Sequence, residues 1–116
     1  MVLIGRQGPS MMTVITRVSL KPGSEPDWDQ AMRERLAAAQ AQDGCVSAQL
    51  LMPLDGMSSR VIVGTWATRA DWEAWHNDPA FHETRERMEG LQEEPDDMQW
   101  FEVVDETLPA PQGDQV

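Results

Sequence analysis

The sequence predicts an α+β fold of the ferredoxin-like type, with the element order β-α-β-β-α-β and one four-stranded antiparallel sheet. Four segments show strand-like alternation of apolar residues, two show helical spacing, and the second helical segment is broken at Pro79. At 116 residues the chain is long enough for one domain with a core. We assign that domain to residues 12–105, with a flexible extension at 1–11 and a disordered tail at 106–116.

The first half of the chain provides a strand, a helix and a second strand. Residues 13–20 alternate, with Val14 and Thr16 on one face and Ile15 on the other. A capping box at 24–27, with Pro in the first turn, starts a helix that ends at Gly44. Its inward stripe is predicted to be Trp28, Met32, Leu36 and Ala39. Residues 45–52 form the second strand, which is predicted to point four side chains to one face: Val46, Ala48, Leu50 and Met52.

The second half repeats this order. Residues 60–67 form the third strand, and its nearly continuous apolar run at 61–63 predicts that both faces are covered. A capping box at 68–71 starts a helix, which restarts at Asp78-Pro79 and runs to Gly90. After a polar loop, residues 98–105 form the fourth strand. Two helices cover one face of a sheet, and the other face carries Ile15, Phe101 and Val103, so we expect two copies to pack face to face as a homodimer.

Charge and composition exclude several classes of partner. The net charge is −11 with one lysine and scattered arginines, which argues against nucleic acid as a partner. No apolar run approaches the roughly 18 residues of a membrane span, and the four apolar residues at 1–4 are too few for a signal peptide. We therefore expect no membrane partner and a cytoplasmic protein. The single cysteine, Cys45, excludes an internal disulfide and is interpreted as a buried thiol.

Residues 61–82 hold three of the five tryptophans and both histidines, so pocket chemistry is expected there. Trp66 ends a buried strand, where a core or interface role is favoured over substrate contact. Trp72 and Trp75 share a helix face at i, i+3, and Trp75 either lines a pocket or simply packs. A tryptophan in a pocket offers a flat stacking surface and an N–H donor to a planar aromatic ligand. Phe81 follows the helix break.

The polar candidates each have two interpretations. His76 points about 100° away from Trp75 and is expected near solvent at the helix end, whereas His82 faces either a pocket mouth or water. A histidine is the favoured general base because its pKa lies near working pH. Arg85 either anchors an anionic or phenolic oxygen or pairs with Glu89 at i+4. Thr16 either offers a hydroxyl to a cavity or is simply a β-branched strand residue.

Taken together, residues 12–105 resemble the antibiotic biosynthesis monooxygenase family of dimeric α/β barrels. The segments that carry the resemblance are Leu20-Lys21-Pro22-Gly23, Asp43-Gly44-Cys45, Gly64-Thr65-Trp66 and Trp75-His76-Asn77-Asp78-Pro79-Ala80-Phe81. The resemblance implies a homodimer with a pocket between sheet and helices in each protomer. Some members oxygenate aromatic or quinol-type polyketides with molecular oxygen and without metal or flavin.

The function that the resemblance implies is a cofactor-independent monooxygenase for a small planar aromatic substrate. Its expected catalytic residues are Trp75, His76 and His82, and its expected substrate contacts are Thr16, Trp66, Trp72, Phe81 and Arg85. No metal or other cofactor is expected. The alternative is a non-catalytic dimer of the same fold that binds a small ligand or has a regulatory part. Haem degradation is disfavoured because the family's Asn and His positions fall at Thr16 and Arg85, and only its Trp is matched, by Trp75.

Overall fold

In a computed structural model, residues 11–107 are described, and they form four strands and three helices. Residues 1–10 and 108–116, which make up most of the two predicted extensions, lie outside the described residues. The elements in chain order are β1 Met12–Ser19, α1 Glu25–Gln40, β2 Cys45–Leu51, β3 Ser59–Trp66, α2 Arg69–His76, α3 Pro79–Met88 and β4 Asp97–Glu102.

The four strands form one antiparallel sheet in the order β2-β3-β1-β4, which confirms the predicted ferredoxin-like α+β fold. In the central strand β1, Val14 lies opposite Gly64 on one side and Trp100 on the other. Cross-strand partners share a face, and Val14 is buried, so this row of side chains faces the helices. Ile15, one residue further along β1, lies on the opposite face of the sheet, as predicted.

Helix α1 packs its predicted apolar stripe onto the sheet but starts differently from the prediction. Trp28 and Met32 are buried against Val18 of β1. The predicted capping box at Ser24 is wrong, because the Ser24 hydroxyl accepts no hydrogen bond from the helix. Instead it donates towards the carbonyl oxygens of Lys21 and Leu91, at 2.7 and 2.9 Å. The hydroxyl therefore ties the start of α1 to the loop that follows α3.

Strand β2 contains a β-bulge that the sequence pattern did not reveal. Cys45 lies opposite Trp66 and Ser47 opposite Thr65, which leaves Val46 as the extra residue. Val46 is 53% exposed, so its predicted place beside Ala48 on the inward face is wrong. Met52, predicted on the same face, lies past the strand end and is 51% exposed. The bulge lets Cys45 join the cluster around Trp66 and Trp75, where burial raises the pKa of its thiol.

The two helices after β3 begin where the sequence predicts. The Thr68 hydroxyl accepts a hydrogen bond from the Asp71 N–H at 3.0 Å, and the Asp78 carboxylate accepts one from the Ala80 N–H at 2.8 Å. Gly44, at the start of β2, has φ +86, and a Cβ there would collide with the Asp71 carboxylate. Glycine at this position therefore lets the start of β2 approach the first turn of α2, the helix that carries Trp72, Trp75 and His76.

The face of the sheet that points away from the helices carries a group of apolar side chains. Ile15 and Val63 are cross-strand partners there, and Leu51 pairs with Val61. Leu51 and Phe101 are 41% and 40% exposed, and the run at 61–63 is only half-buried, so within this chain the predicted covering of both faces is not formed. Among the described residues, no helix is long and apolar enough to cross a bilayer.

Candidate functional site

A cavity of about 100 Å³ lies between the helices and the inward face of the sheet. It adjoins an outer cleft of about 450 Å³, formed by the end of α3 and the loop before β4. The two spaces share six lining residues, so we treat them as an inner and an outer part of one site; the shared residues are Arg35, His76, Phe81, Gln92, Asp96 and Met98.

Aromatic rings form much of the wall of the inner cavity. Trp66 and Trp75 are only 5% and 4% exposed, and they pack with Phe81 in one cluster. The rings of Trp75 and Phe81 meet edge to face, with centroids 5.7 Å apart. Within the described residues neither indole N–H forms a hydrogen bond to the protein. Both side chains line the cavity, where they offer flat aromatic surfaces to a ligand.

His76 is the last residue of α2, at the predicted helix end, and its half-buried ring lines both the cavity and the cleft. Its ring lies between those of Trp72 and Phe81, with centroid distances of 4.1 and 4.3 Å. Nδ1 lies 2.8 Å from the Trp72 carbonyl oxygen. A carbonyl oxygen only accepts, so Nδ1 carries the proton and Nε2 holds a lone pair in the neutral ring. Burial lowers the pKa of His76, with the positive charges of Arg35 and Arg85 contributing, and so favours that neutral form.

Arg35, on α1, provides a positive charge beside the aromatic wall. Its guanidinium carbon lies 4.2 Å from the centre of the Phe81 ring, in cation–π geometry. Among the described residues, no carboxylate oxygen lies within 4.0 Å of its nitrogens. Desolvation is the main cause that lowers the pKa of Arg35 to about 10, so the side chain remains charged at pH 7. A partly buried cation without a carboxylate partner is suited to hold an anionic ligand atom.

Thr84 fixes the orientation of Arg35. The buried Thr84 hydroxyl donates to the Phe81 carbonyl oxygen at 2.9 Å, so its oxygen is free to accept. Arg35 Nε donates to that oxygen at 2.9 Å. Only a side chain that both donates and accepts can make this link, and it leaves the terminal nitrogens of Arg35 without a carboxylate partner in the described chain.

The loop between α3 and β4 closes the side of the cavity near Trp28. The Trp28 indole N–H donates to the Gln92 side-chain oxygen at 3.1 Å, and Gln92 Nε2 donates to the Asp96 carboxylate at 2.6 Å. Both loop residues line the cavity and the cleft. The sequence indicated only a polar loop here, so its contribution to the cavity wall is a finding of the structure.

The structure brings most of the sequence-predicted site residues together. Six of them line the inner cavity: Thr16, Trp66, Trp72, Trp75, His76 and Phe81. Arg85 lines only the outer cleft, is exposed, and has no carboxylate within 4.0 Å in the described chain, so the alternative pairing with Glu89 is not formed. His82 is exposed and lines neither space.

Sequence reasoning missed Arg35, Thr84 and Gln92. A signal for Arg35 was present, because it lies seven residues after Trp28 and three after Met32, on the apolar stripe of α1. No local pattern identifies Gln92, since its role depends on the position of Trp28, 64 residues earlier. Within residues 11–107, no group of three or more His, Cys, Asp or Glu side chains is placed to hold a metal ion.

Comparison with known proteins gives one family. The profile described as antibiotic biosynthesis monooxygenase matches residues 11–87. A comparison with proteins of curated function gave no match.

Several solved structures share the fold. A Nitrosomonas europaea protein has TM-score 0.80 at 18% identity, and the match covers 84% of this chain and 93% of that one. Rv0793 from Mycobacterium tuberculosis has TM-score 0.79 at 21% identity, covering 85% and 100%. SnoaB from Streptomyces nogalater, described as a cofactor-independent oxygenase, has TM-score 0.75 at 20% identity, covering 86% and 98%. At sequence identities of 18–21%, the similarity to these structures shows the fold of the chain.

Proposed function

The chain belongs to the antibiotic biosynthesis monooxygenase family, and from this premise we propose that it is a cofactor-independent monooxygenase acting on a small planar hydroxyaromatic or quinol-type substrate. The observation that carries the proposal is the pairing of His76 and Arg35 at the edge of an aromatic-walled cavity. His76 can take a proton from the substrate, and Arg35 can hold the substrate anion that remains. SnoaB, a structural neighbour described as a cofactor-independent oxygenase, supports the reaction class.

In the proposed first step, His76 removes the proton that makes the substrate an electron-rich anion. Its Nδ1–H is held by the Trp72 carbonyl, so Nε2 is the atom that accepts the proton. The positive charge of Arg35 stabilises the resulting oxyanion in a cavity with little water, where such an interaction is strong. Trp75 provides the stacking surface for the substrate ring, and the Thr16 hydroxyl is a hydrogen-bonding group on the floor of the cavity.

Molecular oxygen completes the reaction without an added reductant. The substrate anion passes one electron to oxygen, and the radical and superoxide then combine to form a carbon–oxygen bond. The peroxide takes the proton back from His76. The same carbon then loses its remaining hydrogen as a proton while the O–O bond breaks, which gives a ketone or quinone and water. One oxygen atom enters the product, the other leaves as water, and the substrate supplies both electrons.

The proposed active form is a homodimer joined through the outer sheet face. That face carries Ile15, Leu51, Val63 and Phe101, and exposed apolar side chains grouped on one sheet face favour a covering partner. Sedimentation at micromolar concentration is expected to give twice the mass of the chain. In Ile15→Glu, which places a charge at the centre of the face, the dimer should dissociate. A monomer mass for the unmodified protein would contradict this part of the proposal.

The two histidines give a matched test of the reaction. With an anthrone as substrate and no added cofactor, we expect one oxygen molecule consumed per anthrone and a quinone product. His76→Gln should lower kcat by a factor of about 10²–10⁴, the usual contribution of a general base. His82→Gln changes an exposed histidine outside the cavity, so it should leave kcat unchanged. Trp75→Ala should also reduce the rate sharply.

Three outcomes would overturn this proposal. They are equal rates in His76→Gln and the unmodified protein, equal rates in Trp75→Ala, and the absence of oxygen uptake with any anthrone or hydroquinone. If uptake is absent but the protein still binds naphthols, the alternative of a non-catalytic ligand-binding dimer takes its place.

A further inference from the structure

The outer cleft is larger than the cavity behind it and differs from it in character. At about 450 Å³ against about 100 Å³, it has room for a part of the ligand that the inner cavity does not hold. The inner wall is mainly aromatic and aliphatic, whereas the cleft is bordered by two arginines and two acids: Arg35, Arg85, Glu89 and Asp96. A ligand that reaches from the cavity into the cleft therefore meets charged groups at its outer end.

Neither arginine of this cleft has a carboxylate partner in the described chain. Arg60, Arg69 and Arg87 each have a carboxylate within 4.0 Å, at Asp29, Glu73 and Glu34. Arg35 and Arg85 have none within the described chain, although 20 acidic residues are present in the sequence. Arg17 and Arg33 also lack a carboxylate partner in that part of the chain, but they are exposed and border neither space.

The two acids of the cleft form no ion pair with its arginines. Asp96 already accepts a hydrogen bond from Gln92 at 2.6 Å. Glu89 follows the end of α3, one turn after Arg85, and its side chain is exposed without forming the i, i+4 pair. Arg35 and Arg85 carry like charges that are close enough to influence one another, since Arg85 contributes to lowering the pKa of Arg35 while the negative charge of Asp96 raises it. An anion between the two arginines would relieve that repulsion.

We propose that the ligand of this site carries a carboxylate, which Arg85 binds in the outer cleft while the aromatic ring occupies the inner cavity beside Arg35. This inference rests on the proposed function and narrows its substrate class from planar hydroxyaromatics to planar hydroxyaromatic acids. Arginine suits this task because its planar guanidinium offers two parallel N–H donors to the two oxygens of a carboxylate.

The test is a binding comparison by isothermal titration calorimetry with three probes of one ring system. These are a naphthol, a hydroxynaphthoate and an aminomethyl naphthol. The unmodified protein is expected to bind the hydroxynaphthoate at least about tenfold more tightly than the naphthol, as a charge-assisted pair provides. Because Arg85 is exposed, that preference should shrink when salt is raised to about 0.5 M.

Two variants on α3 form a matched pair for the same measurement. Arg85→Gln is expected to reduce the carboxylate preference to within about threefold while leaving naphthol affinity unchanged, which also shows that the variant is folded. Arg87→Gln removes the same charge two residues further on, outside the cleft, and should keep the full preference. Retention of the preference in Arg85→Gln would overturn the role of Arg85.

The remaining outcomes separate this inference from the proposed function. Equal affinities for all three probes, or tighter binding of the amine, would overturn the carboxylate inference alone, because oxygen uptake with a neutral anthrone tests the function independently. If none of the probes binds, the carboxylate inference falls, and the proposed function falls with it only if no anthrone supports oxygen uptake.

Discussion

The two ends of helix α1 pack on the same sheet but use similar side chains in different ways. The closed end, defined by Val18, Leu20, Trp28, Met32 and Met88, is a packed cluster in which Trp28 and Leu20 are almost completely buried, although Val18, Trp28 and Met32 also touch the cavity. The open end, defined by Ala39, Trp66, Trp75 and Phe81, borders the cavity. Each end contains tryptophan, and each has a partly buried arginine beside it.

The polar groups distinguish the two ends. At the closed end, Arg60 forms two hydrogen bonds of 2.9 Å with the Asp29 carboxylate, and the Trp28 N–H is bonded to Gln92. At the open end, Arg35 bonds only to the Thr84 hydroxyl within the described chain, and the indole N–H groups of Trp66 and Trp75 have no protein partner there.

Desolvating a charge costs several kcal/mol, which a protein normally offsets with a partner. In return for its burial Arg35 gains one hydrogen bond to Thr84 and the longer-range attraction of Asp96, whereas Arg60 gains a full ion pair. A half-buried cation that borders a cavity and has no carboxylate within 4.0 Å in the described chain is therefore better explained by a ligand than by stability. The comparison predicts that Arg60 and its partner matter for folding, and Arg35 for function.

The largest expected effect is on stability at the closed end. Asp29→Ala removes the partner of Arg60, whose side chain is 7% exposed, and leaves an uncompensated charge. Breaking a buried pair in this way costs about 3–5 kcal/mol, so the free energy of unfolding in urea should fall by about that amount. The double variant Asp29→Leu/Arg60→Met, which removes both charges, should be more stable than the single one. A loss below about 1 kcal/mol in Asp29→Ala, the value for a surface pair, would show that the two arginines do not differ.

The matching substitution at the open end should have the opposite pattern. Arg35→Met keeps most of the apolar stem of the side chain but removes a desolvated charge without a carboxylate partner in the described chain. Its free energy of unfolding should change by less than about 1 kcal/mol. Its kcat with an anthrone should fall by about 10²-fold, as on removal of one group that stabilises an oxyanion. A stability loss as large as that of Asp29→Ala would assign Arg35 a structural role.

Thr84→Val separates the presence of Arg35 from its orientation. Valine has nearly the same shape, but it removes the oxygen that accepts from Arg35 Nε at 2.9 Å. With the guanidinium still present but free to rotate, kcat should fall by about tenfold and KM should change little. Thr84→Ser retains the hydroxyl and should recover most of the rate. If Thr84→Ser is as slow as Thr84→Val, the methyl group rather than the hydrogen bond matters.

The sequence predicted the framework of this comparison better than its details. Alternation, caps and the break at Pro79 gave the fold and the element order, because these signals depend on near neighbours in the chain. The site residues on α2 and the start of α3 were found for the same reason. The sequence placed His76 at the helix end but not in the cavity wall, because helical geometry places it 100° from Trp75 but does not reveal that Phe81, across the helix break, covers its other side.

Features that depend on distant partners were not predicted. The bulge at Val46 shifts the register of β2 by one residue, and nothing within residues 45–52 indicates it. The roles of Thr84 and Gln92 each need a second element, α1, in its final position. Arg35 is the exception, because an arginine on an apolar stripe is visible in the sequence and can be recognised as a group that needs an explanation.

The smallest expected effect is a shift in the pH profile that links His76 to Arg35. Burial lowers the pKa of His76 below its ordinary value of 6.5, and Arg35 contributes further. The acid limb of kcat/KM, which reports the free enzyme, should therefore lie below pH 6.5. In Arg35→Met this limb should move to higher pH. It should remain below pH 6.5, because burial is the larger cause of the lowered pKa. Asp29→Ala, at the closed end, should leave the limb in place.

The lowered pKa of His76 also predicts how the free energy of unfolding depends on pH. Because the unfolded chain binds a proton at His76 before the native protein does, the free energy of unfolding should fall as pH drops below 6.5 and should be independent of His76 above it. His76→Gln should remove that part of the pH dependence. An acid limb that stays in place in Arg35→Met would mean that the two side chains do not share one electrostatic environment, and the open end would then lack the coupled base and cation on which the proposed reaction depends.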